Sequence, residues 1–390
     1  MQHGSPLVRL TVICIAALAL RPQLIGIGPL VPQIRSDFGM SFAEAGLLAT
    51  IPLLCMGLFA LTAPTVVAAL GASRTIAGCL LLLAVSGALR GLAPSGLLLL
   101  VLTIPVGMGI GITGATIPVL VKEWLPERAG AATGIYTTAI QVGSVVASGA
   151  AVPLALAFGG WRVPLELFAA AALLSLAAWL FLAERPTEPP HGFRRSALSP
   201  IALRDPVAWL LAAIFALTAV PYYGLGAWLP SAYVERGWST LDAGSLFAAF
   251  ALTGLPGSLI ASFVADRGGS RRAHLVVSTV IVTASLIGLI VAPGLAWPCV
   301  LIGGGFLGAM FTIVMTLPLD VSRDATKVAP VVGLMMTVGY CLMALMPSLL
   351  GAVRDATGSF TVSLWMIVAA CLPLLAACLL ASPRRLAREG

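Results

Sequence analysis

Long apolar stretches are the feature of this sequence that most restricts what it can fold into. Twelve runs of roughly 20 residues carry almost no charge, and short polar or Gly/Pro-rich connections separate them. Only 9% of the residues are charged and 59% are hydrophobic, which leaves too little polar surface for a soluble fold. The sequence therefore predicts an all-α membrane protein with twelve transmembrane helices.

Charged residues and Gly/Pro breaks mark the ends of these runs. The first run exceeds the core of a signal peptide and precedes no cleavage pattern, so we expect it to remain as the first span. The predicted spans fall near 8–33, 42–68, 74–91, 95–121, 130–156, 164–183, 206–232, 239–264, 273–292, 295–319, 326–352 and 360–381. Polar residues concentrate between the sixth and seventh runs. This pattern predicts an N-terminal bundle over 1–184, a cytoplasmic linker over 185–205 and a C-terminal bundle over 206–390.

The two halves of the chain resemble each other. The offset of 198 positions that separates Pro32 from Pro230 also relates Arg74 to Arg272, across two spans and both of their loops. Six helices lie between the copies, so both copies have the same topology. The repeat predicts two pseudo-symmetric bundles of six helices each.

Basic residues indicate the orientation, because Lys and Arg near helix ends are retained in the cytoplasm. With a cytoplasmic N-terminus, sixteen of the 22 basic residues lie inside. Five lie outside: Arg35, Arg90, Arg162, Arg236 and Arg354. Both termini are thus expected in the cytoplasm of a bacterium, with the protein in its plasma (inner) membrane. The basic residues form no patch, so the net charge of +7 predicts membrane lipid and no nucleic acid as a partner.

Arg21 lies near the middle of the first predicted span. A charge at that depth costs about 2.5–3.5 kcal/mol on insertion scales, and such residues usually face a polar cavity. Every Asp and Glu falls at a span end or in a loop. Arg21 therefore predicts an anionic or electron-rich solute. In the alternative interpretation, Arg21 only satisfies loose backbone carbonyls between helices.

Proline and glycine interrupt the same span. Pro22 leaves the carbonyl of Leu18 without its helical donor, and Gly28 and Pro29 weaken the rest of the helix. The repeat brings Pro221 of the seventh span to a comparable depth. Broken helices in transporters expose backbone groups to substrate, so these residues predict helix breaks at a midplane site. Bending for packing alone is the alternative.

Polar and aromatic residues at similar depth complete the predicted site. A pocket for a small solute needs aromatic walls and a few hydrogen-bonding groups. Each candidate has an alternative role in helix packing or at the membrane interface. For Trp228 the alternative is a position in the aromatic belt at the outer membrane interface. The predicted substrate-binding residues are Arg21, Gln23, Tyr136, Gln141, Tyr222, Tyr223, Trp228 and Tyr340.

Small residues and cysteines carry further information. Glycines recur over 107–114 in the fourth span and over 303–308 in the tenth. Such small residues allow a helix either to pack closely on its neighbour or to slide along it. The seven cysteines lie in apolar runs without a CxxC pair, and no nucleophile lies beside a base. We therefore expect no metal, no cofactor and no enzymatic activity.

Three polar motifs between the spans resemble those of the major facilitator superfamily. They are Ser262–Arg272 after the eighth span, Leu125–Gly134 before the fifth, and Gly159–Arg162 before the sixth. In that family an Asp and Arg in such a loop pair with neighbouring helix ends and latch one conformational state. The resemblance implies gating roles for Asp266, Arg267, Arg271, Arg272, Arg74, Glu127 and Arg128.

Within that superfamily the chain is similar to the cyanate and 2-nitroimidazole transporter branch. The similar segments are Leu20–Pro22, Gly28–Leu30 and Ala227–Pro230. The resemblance implies a secondary transporter, expected to be a monomer, that moves a small anion or a small polar ring compound by alternating access. Two alternatives remain open: a proton-coupled multidrug efflux antiporter, and a membrane receptor that binds its solute without transporting it.

Overall fold

Helices make up nearly all of the structure. The computed structural model describes residues 5–183, 203–266, 270–320 and 325–381. Within these ranges, twelve helical segments are long and apolar enough to cross a membrane. In chain order, spans 1 to 12 are Pro6–Phe38, Phe42–Ala60, Ala72–Gly91, Gly96–Trp124, Ala129–Phe158, Arg162–Leu182, Pro206–Glu235, Thr240–Asp266, Arg271–Val291, Ala296–Thr316, 325–357 and Phe360–Leu380.

The all-α membrane fold with twelve spans is confirmed, and most predicted span ends agree within a few residues. Span 1 runs further than predicted, to Phe38, where Gly39 ends the helix in the left-handed region with a φ of 63°. Span 2 is shorter than predicted and ends at Ala60. A separate helix, Ala63–Leu70, follows the turn after Ala60.

Among the described residues, four spans are interrupted or flanked by short turns. Span 1 consists of the helices Pro6–Ala19, Pro22–Ile25 and Val31–Phe38, with a 3₁₀ turn at Gly28–Leu30. Span 11 consists of Ala325–Ala344 and Met346–Thr357. Further 3₁₀ turns precede span 5 and span 10 and follow span 10, at Pro126–Arg128, Pro293–Leu295 and Leu317–Asp320.

The chain divides into two compact units. The first comprises Met1–Met40 and Leu47–Arg195, and the second comprises Ser41–Gly46 and Ser196–Gly390. A core around Leu30, Trp161 and Phe168 lies in the first unit, and one around Phe215 and Met310 in the second. Residues 185–202 of the predicted linker lie outside the described residues, so the linker stays a prediction.

Candidate functional site

Span 1 is interrupted at Leu20 and Arg21. Its first helix ends at Ala19 and the next begins at Pro22, with Arg21 between them at φ −96° and ψ −31°. The main-chain oxygen of Arg21 accepts from the N–H groups of Leu24 at 3.0 Å and Ile25 at 2.9 Å. Arg21 thus belongs to the short second helix, and its side chain is half-buried.

The break is covered by span 5. Pro22 offers no N–H to the carbonyl oxygen of Leu18, and that oxygen lies against Gly143 so closely that a Cβ there would overlap it. Tyr136 precedes Gly143 by seven residues and therefore lies on the same face of span 5. Its side chain is buried, whereas that of Gln141 is half-buried. This face of span 5 brings Tyr136 to the side of the helix that packs on span 1.

Gln23 lies inside the break and has no exposed surface. Its amide nitrogen donates to the main-chain oxygen of Leu165 in span 6 at 3.0 Å. Its Oε1 accepts from Nη1 of Arg90 at 3.2 Å, and the same Nη1 donates to its main-chain oxygen at 2.8 Å. Both ends of the Gln23 side chain are therefore bonded to protein groups.

Sequence reasoning missed Arg90. It lies at the end of an apolar run, where an arginine is usually a topology marker facing water, yet its side chain is fully buried. The signal that could have found it is the pair of glycines around it. Gly87 makes room for the amide of Gln23, and Gly91 makes room for Glu166 of span 6.

In the second unit, span 7 carries two adjacent tyrosines that pack with span 8. The rings of Tyr222 and Tyr223 meet edge to face at 5.2 Å, and Tyr222 meets Phe247 at 5.6 Å. Tyr223 is buried and Tyr222 half-buried. Half-buried Tyr340 of span 11 packs edge to face on Phe215, two turns before Tyr222 on the same face of span 7.

Trp228 lies further along span 7 and is 1% exposed. Its Nε1 donates to the main-chain oxygen of Pro347 at 2.7 Å. A tryptophan this deeply buried does not match the alternative of an outer aromatic belt, because belt residues face the lipid headgroups.

Pro221 differs from the predicted helix break. Span 7 is one continuous helix from Pro206 to Glu235, with Pro221 inside it. A proline removes one hydrogen bond, and most residues of span 7 around it are buried, so packing on all sides maintains the helix. The repeat therefore does not reproduce the interruption of span 1.

The predicted gating residues are distributed over several connections. Arg74, Glu127, Arg128 and Arg272 are exposed. Arg271 is half-buried, and its Nη1 donates to the main-chain oxygen of Thr316 at 3.4 Å. Arg267 and the side chain of Asp266 lie outside the described residues. The gating roles therefore stay predictions.

Known proteins resemble this chain over nearly its whole length. The profile of the Major Facilitator Superfamily matches residues 13–347. The cyanate transport protein CynX of Escherichia coli (strain K12) is 31% identical over 367 residues, covering 93% of this chain and 94% of that protein. The 2-nitroimidazole transporter of the same organism is 31% identical over 353 residues, covering 90% of this chain and 89% of that protein.

A solved structure has the same fold. It is that of a bacterial homologue of the human lysosomal transporter Spinster, in an inward-facing and unoccupied conformation. The TM-score is 0.77 at 18% sequence identity, and the match covers 98% of this chain and 96% of that one. The family profile covers most of the chain, and both relatives are transporters, which confirms the prediction of a protein that is not an enzyme. The chain is an integral membrane transporter and belongs to the Major Facilitator Superfamily.

Proposed function

We propose that this protein is a secondary transporter that carries a small anion or a small polar ring compound by alternating access, with Arg21 as the cation that attracts the solute. The observation that carries the proposal is a half-buried arginine, Arg21, at the break of span 1. A cation inside a transmembrane span is costly and tends to mark a solute pathway. The names of the two relatives, a cyanate transporter and a 2-nitroimidazole transporter, support this class of solute.

The break itself supports the same reading. Arg21, Pro22 and Gln23 lie where span 1 is not one regular helix, and backbone at such a depth is tolerated where it is packed in protein or lines a cavity. Half-buried Gln141 and buried Tyr136 remain our candidates from span 5, as do Tyr222, Tyr223 and Tyr340 from the second unit. Aromatic rings with a few hydrogen-bonding groups are the kind of lining that a pocket for a small molecule needs.

The positions of the ionisable groups bear on whether transport of the solute is coupled to transport of protons. The acidic residue that lies furthest into a span on the first unit is Glu166, in the second turn of span 6. Because no acidic residue accompanies Arg21 in span 1 between Pro6 and Arg35, we propose facilitated diffusion, exchange, or proton movement with the substrate itself. We also propose an inner-membrane location with both termini in the cytoplasm, and a monomer as the working unit.

Uptake into proteoliposomes tests the function. Wild-type protein should accumulate labelled cyanate or 2-nitroimidazole faster than protein-free liposomes. Arg21→Met should raise KM about tenfold or more, and Arg21→Lys should lie between, because lysine keeps the charge without the planar fork of donors. Arg9→Met is the matched control, since Arg9 is a cation of the same span bonded to the Trp124 carbonyl at 2.9 Å.

Three results would contradict the proposal. The first is unchanged cyanate and nitroimidazole kinetics in Arg21→Met. The second is uptake that depends strictly on an imposed pH gradient when substrate protonation is excluded. The third is an exchange of protons for amphipathic drugs with neither small solute transported, which would identify a multidrug antiporter.

A further inference from the structure

We propose that Arg90 positions the turn of span 1 that carries Arg21 and thereby sets substrate affinity, an inference that rests on the function proposed above. Arg90 belongs to the last turn of span 3 and its side chain has no exposed surface. Among the described residues, no carboxylate lies within ion-pair distance of its guanidinium. Because an unpaired buried cation destabilises a fold, its presence calls for an explanation beyond packing.

Among the described residues, the hydrogen bonds of Arg90 all go to Gln23, two residues after Arg21. Nη1 donates to the main-chain oxygen of Gln23 at 2.8 Å and to its Oε1 at 3.2 Å. The main-chain oxygen belongs to the break, where the neighbouring bonds run from Gly26 N to Pro22 O and from Leu30 N to Ile27 O. Arg90 thus supplies a donor to a carbonyl at the point where the regular helix stops.

Gln23 is held from two further sides. Its amide nitrogen donates to the Leu165 carbonyl of span 6 at 3.0 Å. Gly87 of span 3 lies so close that a Cβ there would overlap the same amide. Spans 3 and 6 together fix the position of Gln23, and this fixed point lies within one helical turn of Arg21.

The main chain transmits this constraint to Arg21. The Arg21 carbonyl accepts from Leu24 and Ile25, so Arg21 and Gln23 belong to one four-residue helix, Pro22–Ile25, and its cap. A displaced Gln23 therefore turns the backbone that aims the Arg21 side chain. A 1 Å misplacement of a binding group can weaken function strongly, which is why such groups need support from a second layer of residues.

The unused donors of Arg90 help to distinguish two roles of this residue: positioning Arg21 and stabilising the fold. Its Nε and Nη2 have no hydrogen-bond partner in the described part of the chain, although both are buried. Replacing a poorly satisfied buried charge with an apolar residue of similar length is often neutral for stability. If Arg90 only stabilised the fold, its loss would lower the melting temperature; if it positions Arg21, its loss lowers affinity instead.

The test uses the purified full-length protein, with labelled cyanate as the probe. Arg90→Met should raise KM for uptake about tenfold, the loss expected for hydrogen bonds to a charged group, while Tm stays within about 4 °C of wild type. Arg90→Lys should recover part of the affinity, because its ammonium can donate to one of the two Gln23 oxygens. Gly87→Ala displaces the Gln23 amide without changing any charge and should raise KM in the same direction.

Arg162→Met is the matched control. Arg162 is a cation of the same unit with a side chain 40% exposed, and its loss should leave KM unchanged. A substrate-free measurement accompanies the kinetics: amide hydrogen exchange over residues 21–30 should be faster in Arg90→Met than in wild type. Unchanged exchange in that segment, or an unchanged KM in both Arg90→Met and Gly87→Ala, overturns the positioning role.

The proposed function can fail separately. A wild-type protein that transports neither cyanate nor 2-nitroimidazole overturns the proposed function, and the exchange measurement then still decides whether Arg90 holds the break. A wild-type protein that transports cyanate, with Arg90→Met equally effective, overturns only the inference about Arg90.

Discussion

Trp228 combines a large apolar surface with one buried hydrogen bond. Its indole ring packs against Phe42 at 5.8 Å and Phe360 at 5.4 Å between ring centroids. Its N–H donates to the Pro347 carbonyl, so the second unit uses both the apolar and the polar part of this side chain. A residue with these contacts contributes to stability and has no donor left for a solute.

We therefore expect Trp228→Phe to destabilise the protein by about 1–3 kcal/mol, because it removes a buried hydrogen bond and leaves part of the space of the larger indole ring empty. Thermal unfolding in detergent measures the change. Trp209→Phe is the control in the same span: Trp209 donates to the Leu203 carbonyl but is 45% exposed, so its loss should change Tm little. A Trp228→Phe protein with wild-type Tm and a raised KM for cyanate would instead make Trp228 a substrate contact.

At the residue scale, the sequence identifies charges that stand out from apolar surroundings and misses those at the ends of runs. Arg21 stands out because apolar residues flank it on both sides. Arg90 does not, because its burial depends on Gln23 and Leu165, which are distant in sequence and are brought together only by packing. Burial at a span end is a tertiary property, and its local trace in the sequence is limited to the neighbouring glycines, Gly87 and Gly91.

The contact between spans 8 and 10 is built from backbone rather than side chains. A Cβ at Gly304 would overlap the Phe250 carbonyl, and one at Gly308 would overlap the Gly254 carbonyl. Ser258 adds a hydrogen bond from its Oγ to the Gly308 oxygen at 3.0 Å. Small residues in membrane helices permit this approach, and van der Waals contact along it stabilises the pair. Contact at this distance supports the close-packing interpretation of the tenth-span glycines.

Gly308→Ala should separate spans 8 and 10 and lower stability by about 1–3 kcal/mol, as overpacking does in well-packed interiors. The matched control is Gly114→Ala in span 4, where a Cβ meets nothing within 4 Å, so its helix preference should make it neutral or slightly stabilising. Thermal unfolding of both variants gives the comparison. Equal Tm values for the two would show that the two spans do not depend on this contact.

Element positions were predictable because apolar run length and connecting charges set where a helix can cross a bilayer. Interruptions within the helices were less predictable from the sequence. Pro22 and Pro221 are both prolines in apolar runs, yet the helix before Pro22 ends at Ala19, whereas the helix of span 7 continues through Pro221. At Pro22 the arginine of another span bonds a carbonyl of the break, whereas span 7 is packed over most of its length. The outcome depends on these neighbours and not on the proline.

At the scale of the whole molecule, two acidic residues that the internal repeat relates each form an ion pair, although their arginine partners come from spans that the repeat does not relate. Asp37 and Glu235 are related by the same offset of 198 positions, and each pairs with an arginine of its own unit. Asp37 lies 3.6 Å from Arg162, and Glu235 lies 3.0 Å from Arg354. Each arginine also lies over aromatic rings, of Trp161 and Phe38 or of Phe42 and Phe360. All four charged residues lie in the terminal turns of their spans, at the ends for which the basic-residue count predicts the outer side.

Cysteine labelling in intact cells tests this orientation. Ala356 and Ala273 are exposed alanines at opposite predicted sides of the membrane, and the native cysteines among the described residues are buried or half-buried. A membrane-impermeant maleimide should label Ala356→Cys and spare Ala273→Cys, because the basic residues that set topology surround the latter. A permeant maleimide should label both variants, which controls for reactivity. The reverse labelling pattern would contradict the cytoplasmic termini, and equal labelling of both by the impermeant reagent would contradict the separation of these two positions by the membrane.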